Sequence, residues 1–120
     1  MVYNVVGVTI WTGDLERLRR FYRDTMRLPL HSDHGDFVAF RWGDMRFNLG
    51  SHDGVQGQNR EPYRVMINLG VEDIQDECRR LAAEGVEFIR TPEQEGWGGW
   101  VATFKDPDGN VLQLLEMPKA

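Results

Sequence analysis

Three histidines lie close to aspartates and are the first candidates for acid–base or metal chemistry, because imidazole and carboxylate groups both bind divalent ions. They are His31, His34 and His52, with Asp33, Asp36 and Asp53 beside them. His31 and His34 fall in a short polar run at a predicted strand end and turn, where polar side chains are expected in any case. An exposed turn therefore accounts for this run better than a metal centre does.

Tryptophans are the second group, because an exposed indole can stack on a planar ligand. Trp11 alternates onto one face of a predicted strand, and Trp97 and Trp100 lie in the run Gly-Trp-Gly-Gly-Trp. Paired glycines between aromatic residues suit a mobile flap better than a packed strand. A ligand that covers one indole removes about 150–250 Å² of side-chain surface from water, or roughly 4–6 kcal/mol before ordering costs. Trp11 and Trp97 together therefore predict a binding wall that needs no reaction chemistry.

Other catalytic patterns are weak. No glycine-rich phosphate loop opens a helix, and no Ser-His-Asp order stands out. Glu93 and Glu95 fall in a predicted loop, where solvation explains them. The basic run of Arg17, Arg19 and Arg20 is predicted to form the outer face of a helix.

Size and charge limit the classes of function. The 120 residues predict one domain, 1–120, and the net charge of −5 argues against binding to nucleic acid, which requires a basic face. The single Cys78 is predicted to be a buried helix residue, which is consistent with a reducing compartment. Neither a signal-like N-terminus nor an apolar run of bilayer length is present, so we expect a cytoplasmic protein with no membrane partner.

The elements that position these residues come from an internal repeat. Residues 8–22 and 67–81 each read as an apolar strand, a short polar break, an aspartate and a helix. The two aspartates, Asp14 and Asp73, are 59 positions apart, near half the chain. A repeat of this period indicates a duplicated module, and two copies can share one site.

The first copy predicts a β-α-β-β-β module. Its first strand, residues 5–12, alternates between an apolar face and a face that carries Thr9 and Trp11. Asp14 caps the following helix, which ends at Leu28-Pro29-Leu30, where a second strand starts with the proline suited to a sheet edge. Strands at 37–42 and 46–49 then flank a hairpin turn at Gly43 and Asp44.

The second copy repeats this plan. Asp73 caps a helix for which Gly85 provides the C-terminal stop. Three strands follow, at residues 86–90, 100–104 and 111–115, and the last two are joined by the turn 106–110.

The predicted fold class is α+β, with two tandem βαβββ modules that form a cupped mixed sheet with helices on the outer face. Module one covers about residues 1–52 and module two about residues 64–120, with a polar, glycine-rich linker at about 50–63. Each helix covers one face of its sheet. The other faces remain to line a shared cavity.

This plan resembles the vicinal oxygen chelate superfamily, which includes glyoxalase I, extradiol dioxygenases, fosfomycin-resistance enzymes and bleomycin-binding resistance proteins. The resemblance covers essentially the whole chain. Its best local motifs are Gly13-Asp14-Leu15 with Phe21-Tyr22, and the run FKDPDGNVLQLL at residues 104–115.

The resemblance implies four metal-ligand positions, which relatives fill with His, Gln or Glu. By register these positions fall on Gly7, Asn48, Met66 and Gln113. Gly7 has no donor, the thioether of Met66 is too soft for a hard divalent ion, and two neutral amides cannot hold a catalytic metal against water. Relatives that use glutathione carry an Arg three residues before the capping Asp. Trp11 stands there in this chain, which argues against a glutathione thioester substrate.

We therefore expect a homodimer that binds a planar aromatic or cationic small molecule without metal or cofactor, most similar to the antibiotic-binding members. The predicted cleft face carries no His or carboxylate to act as a base. The alternatives are a cofactor-independent isomerase or lyase acting on a small carbonyl compound, or a metal-dependent lyase or dioxygenase with unorthodox ligands. The predicted ligand-binding residues are Thr9, Trp11, Arg46, Asn48, Arg64, Met66, Asn68, Trp97, Trp100 and Gln113.

Overall fold

The computed structural model describes residues 1–119, which divide into two compact units with the boundary in the chain between residues 57 and 58. Each unit contains one mixed four-stranded sheet and one helical region. This confirms the predicted α+β class and the repeated module. No helix within residues 1–119 is long and apolar enough to cross a membrane.

The first unit contains four strands, in the sheet order β1-β4-β3-β2. The strands are β1 (Gly7–Thr12), β2 (Leu30–Asp33), β3 (Phe37–Trp42) and β4 (Met45–Ser51). β1 and β4 run parallel, and the other neighbours are antiparallel. Gly43 takes a φ of 53° in the β3–β4 hairpin, as the glycine of a tight turn can.

Helix α1 (Leu15–Arg19) continues as a π-helical segment, Arg20–Thr25. Its start is the predicted one, since the Asp14 carboxylate accepts a hydrogen bond from the Arg17 backbone N–H at 3.2 Å. Leu18 and Tyr22 are fully buried. They cover the sheet face that carries the buried strand residues Ile10, Val38, Phe40, Phe47 and Leu49.

The second unit repeats the order with β5 (Met66–Gly70), α2 (Ile74–Ala83), β6 (Phe88–Gln94), β7 (Trp100–Lys105) and β8 (Val111–Glu116). Its sheet order is β5-β8-β7-β6. The Asp73 carboxylate accepts from the Asp76 N–H at 3.1 Å, and Gly85, with a φ of 94°, ends α2 as predicted. Ile74, Cys78 and Leu81 form the buried side of α2.

Strand β6 lies later in the sequence than predicted, at Phe88–Gln94 instead of residues 86–90. Pro92 falls inside it, and a proline normally argues against a strand interior. β6 is an edge strand, however, and pairs only with β7, with irregular register around Arg90. A proline is tolerated there because no second neighbour needs its missing N–H.

Candidate functional site

Within each unit the helix covers one face of the sheet, and we call the opposite face the open face. Part of this face is nevertheless buried, as at Ala39, Val101, Thr103 and Val111. In the first sheet the register places Thr9, Asn48 and Ala39 side by side on the open face. The amide Nδ2 of Asn48 donates to the Thr9 hydroxyl at 3.3 Å. Arg46 lies on the same face, one step along the strands. The structure therefore brings four of the predicted site residues, Thr9, Trp11, Arg46 and Asn48, to one surface.

Trp11 is the largest apolar group on this surface and remains 45% exposed. Its ring centroid lies 6.2 Å from that of Phe37 and 5.6 Å from that of His52. Gly50 is opposite Trp11 in the register, and a Cβ at Gly50 would lie only 2.5 Å from the indole. The absence of a side chain at Gly50 therefore lets the indole lie across β4. We call Trp11, Phe37 and His52 the aromatic platform.

His52 was not among the predicted ligand-binding residues. It follows the last residue of β4, and its Nδ1 accepts a hydrogen bond from the Gly54 N–H at 2.9 Å. In the neutral imidazole the proton is then on Nε2, which has no hydrogen-bond partner within residues 1–119. The sequence signal that could have identified it is its position three residues after Leu49, at the end of a strand whose neighbour carries Trp11.

A groove of about 410 Å³ lies at this end of β1 and β4. Its walls come from Thr12 and Gly13 on one side and from Ser51, His52 and Asp53 on the other. The Asp53 carboxylate is exposed and forms no ion pair with the described residues. The groove adjoins the aromatic platform through the His52 ring, so a ligand that stacks on Trp11 has polar groups within reach.

The open face of the second sheet carries a hydrogen-bonded polar row. The Thr103 hydroxyl donates to Gln113 Oε1 at 3.2 Å, and Gln113 Nε2 donates to Asn68 Oδ1 at 3.0 Å. These three residues are paired in register across β7, β8 and β5. We call them the amide row. Met66 lies on the same face, one step along β5.

Three further predicted residues lie outside these two surfaces. Trp97 is 53% exposed in the turn between β6 and β7, where its ring lies over Gly99. Arg64 precedes β5 and is exposed, 3.9 Å from Glu61. Trp100 shares the helix-covered face of β7 with Ala102. The structure therefore does not bring Trp100 to the open face, because alternation along β7 directs it the other way.

The His31–Asp36 run forms strand β2 and a turn. Asp33 Oδ2 lies 3.0 Å from Arg19 Nε and 3.3 Å from Arg23 Nη1. The backbone N–H of Gly35, followed by these two arginines, lowers the pKa of the Asp33 carboxyl. The Asp33 carboxylate is therefore already ion-paired with Arg19 and Arg23. Within residues 1–119, no group of three His, Cys, Asp or Glu side chains is arranged to hold a metal.

The positions at which the superfamily binds its metal do not fit one here. A Cβ at Gly7 would lie 3.0 Å from the Arg46 carbonyl oxygen, so the strand pair leaves little room for a side chain. Asn48 donates to Thr9, and both ends of the Gln113 amide bond to neighbours in the amide row. Neutral amides engaged in this way, with Met66 as the remaining position, are poor partners for a hard divalent ion.

Comparison with known proteins supports the resemblance found in the sequence. Residues 4–114 match the model of the Glyoxalase/Bleomycin resistance protein/Dioxygenase superfamily. The chain is 29% identical to a probable lactoylglutathione lyase of Synechocystis, over 89% of this chain and 90% of that protein. It is 25% identical to a bleomycin resistance protein of Klebsiella pneumoniae, over 86% and 84% of the two chains. A crystal structure of a protein of unknown function from Agrobacterium tumefaciens matches with a TM-score of 0.79 and 25% identity, covering 98% of this chain and 96% of that one.

Proposed function

Because the chain belongs to the Glyoxalase/Bleomycin resistance protein/Dioxygenase superfamily, we propose that it is a metal-free protein that binds a planar aromatic or cationic small molecule. The observation that carries this proposal is the aromatic platform around the half-exposed Trp11. An exposed indole beside two further rings presents apolar surface to water. A planar ligand that covers the indole removes this surface from water and gains contact area. One use of such a site is to sequester a toxic natural product, as the name of the Klebsiella relative suggests for that protein.

The poor fit of the metal-ligand positions supports binding over metal chemistry. Gly7 has no donor, and the amides of Asn48 and Gln113 are bonded to neighbours, so these residues do not fit a divalent metal. The amide of Asn48, on the same sheet face as Trp11, suits hydrogen bonding to an organic ligand. An amide donates and accepts at fixed positions, which gives orientation to a molecule held mainly by stacking.

The test is a matched pair of tryptophan variants. Trp42 is 41% exposed on the same sheet as Trp11, but the register places it on the opposite face. Trp11→Ala should weaken binding of a planar probe such as 2-naphthoate by about 1–3 kcal/mol, and Trp42→Ala should leave it unchanged. Calorimetric titration measures both affinities, and indole fluorescence should be quenched by the probe in the wild type.

The two variants also separate binding from folding. Because Trp11 is half-exposed, its loss should cost less in the free energy of unfolding than a buried Phe→Ala substitution, which costs about 3–5 kcal/mol. If Trp11→Ala greatly lowers stability but leaves probe affinity intact, the indole is part of the core and the proposal loses its support.

A second candidate, a cofactor-independent isomerase or lyase, draws on the contact between His52 and Trp11. Catalysis by proton abstraction needs a base with a free lone pair. The Gly54 N–H already occupies Nδ1 of His52, which leaves Nε2 as a donor, so the ring is better placed to bind an acceptor than to remove a proton. An assay for cleavage of lactoylglutathione, with elemental analysis of the purified protein, tests this candidate. Turnover by the metal-free protein would favour this candidate, whereas about one divalent metal per chain would favour a metal-dependent enzyme instead.

The assembly and location belong to the same proposal. We expect a homodimer, because β1 and β5 are edge strands of their sheets and exposed apolar edges need cover. We also place the protein in the cytoplasm, since its single cysteine, buried in α2, suits a reducing compartment.

A further inference from the structure

The amide row is oriented by its own hydrogen bonds. Thr103 is buried and donates to Gln113, and Gln113 in turn donates to Asn68. In this arrangement Gln113 turns its oxygen toward Thr103 and its nitrogen toward Asn68, so the donated bonds run from β7 toward the edge strand β5.

Counting donors and acceptors shows what the row offers to a ligand. The oxygens of Asn68 and Gln113 each accept one bond within the row. Two N–H groups of Asn68 and one of Gln113 have no partner within residues 1–119. Asn68 is exposed and Gln113 is half-buried, so these hydrogens can reach a ligand. The row is a set of donors that lacks an acceptor.

The surroundings of the row also favour an acceptor. Lys105 lies on the same face, two residues from Thr103 along β7 and therefore about 7 Å away. Its ammonium forms no ion pair with the described residues and lies 6.0 Å from the centre of the Tyr63 ring. Arg90 and Glu93 of the edge strand β6 are opposite Thr103 and Val101 in the register and lie 3.4 Å apart, so the Glu93 carboxylate pairs with Arg90.

Apolar surface lies on the other side of the row. Leu115, which is partly exposed, and Gly70 on β5, which is exposed, are neighbours in register two residues along the strands, while Val101 beside Leu115 is buried. A Cβ at Gly70 would meet nothing within 4 Å, so the space above it is open. A flat hydrocarbon group can cover this surface while an oxygen atom of the same molecule reaches the row.

We propose that the amide row and Lys105, which lie on the second sheet, bind an anionic oxygen of a small molecule, a carboxylate or an enolate attached to a planar ring. This inference rests on the proposed binding function and specifies the class of ligand that the second sheet binds. Hydrogen bonds from amides to a charged oxygen are about twice as strong as those to a neutral one. The overall charge of −5 opposes an anion only weakly, because charges beyond about 8 Å are screened at physiological salt.

Three naphthalene probes with one ring system test the charge preference. They are 2-naphthoate, the neutral 2-naphthamide and the cationic 2-naphthylmethylammonium. Calorimetric titration should show that 2-naphthoate binds about tenfold more tightly than the neutral amide, the effect of roughly one charge-assisted hydrogen bond. In the wild type, the side-chain amide NMR signals of Asn68 and Gln113 should shift when 2-naphthoate is added.

A charge-reversing variant tests the row itself. Gln113→Glu keeps the shape of the side chain but replaces its N–H donors with a carboxylate oxygen, so it should weaken 2-naphthoate about tenfold and strengthen the ammonium probe. The matched control is Gln75→Glu, which adds the same charge at an exposed position of α2 and should leave all three affinities unchanged. Circular dichroism checks the fold. If Gln113→Glu does not fold, the shifts of the Asn68 and Gln113 side-chain amide signals in the wild type test whether the row binds 2-naphthoate.

The outcomes separate this inference from the proposed function. If the probes bind but the ammonium is preferred, or if the amide signals of Asn68 and Gln113 do not move, the donor row is wrong and the binding function stands. If none of the three probes binds the wild type, both the donor row and the proposed binding function are wrong.

Discussion

The thiol of Cys78 gives the clearest prediction for a single residue. The side chain is buried in α2, and this burial, with a smaller effect from Glu77, raises the pKa of the thiol to about 11. Since the thiolate is the reactive form, the native protein at pH 8 should react with iodoacetamide about 100-fold more slowly than the unfolded chain. Mass spectrometry of alkylated protein, with and without guanidinium, measures the two rates.

The same pKa sets the direction of a pH effect. Because the folded pKa of Cys78 exceeds the unfolded one, ionisation favours the unfolded chain. Its contribution to stability is complete below the unfolded pKa, near 9, and is lost as the pH rises toward 11. If the native protein reacts with iodoacetamide at pH 8 as fast as the unfolded chain does, the Cys78 thiol is solvated in the folded protein.

Individual side chains divide into those that local sequence could predict and those that depend on the fold. Trp11 and Asn48 reach the open face because strand alternation is a local rule. Arg19 was expected on the outer face of a helix, yet it is buried and ion-paired to Asp33 on β2. The contact between Trp11 on β1 and His52, just after β4, likewise joins residues far apart in the sequence. Pairings of this kind depend on which strands become neighbours, and no short sequence window contains that information.

At the scale of elements, the turn between β7 and β8 is held by one buried carboxylate. Oδ1 of Asp106 accepts from the N–H groups of Asp108 at 2.9 Å and Asn110 at 3.0 Å, and Oδ2 accepts from Asn110 Nδ2 at 2.9 Å. Asp106→Ala should lower the free energy of unfolding by about 2–4 kcal/mol, because it removes charge-assisted bonds and leaves buried N–H groups without a partner. Urea denaturation followed by circular dichroism measures the loss.

The other hairpin provides the control for this substitution. Asp44 occupies the β3–β4 turn, is exposed, and makes no hydrogen bond within the described residues. Asp44→Ala should change stability by less than about 0.5 kcal/mol. Equal losses at the two positions would mean that the Asp106 bonds contribute nothing beyond the general preference for Asp in turns.

The elements themselves were largely predictable, for a physical reason. The caps at Asp14 and Asp73 and the stop at Gly85 follow from local backbone chemistry, and all were confirmed. The limits of β6 were not, because a proline is acceptable only if its strand lies at an edge, and edge position is a property of the whole sheet. The π-helical segment Arg20–Thr25 has no such local signature and was not expected.

At the scale of the whole molecule, the proposed dimer can be tested through the N-terminal edge. Val5 and Val6 are 65% and 55% exposed, and the Arg46 N–H bonds to the Val6 carbonyl at 2.9 Å, so the pairing of β1 extends to this residue. An apolar strand with one unpaired side can pair with a second copy of the chain, and a lysine on such an edge commonly prevents this pairing.

Sedimentation should therefore show a dimer at micromolar concentration. Val6→Lys should raise its dissociation constant about tenfold or more, whereas Gln75→Lys on α2 should not. A wild-type monomer at that concentration would leave the edge without a partner and remove the dimer from the proposal.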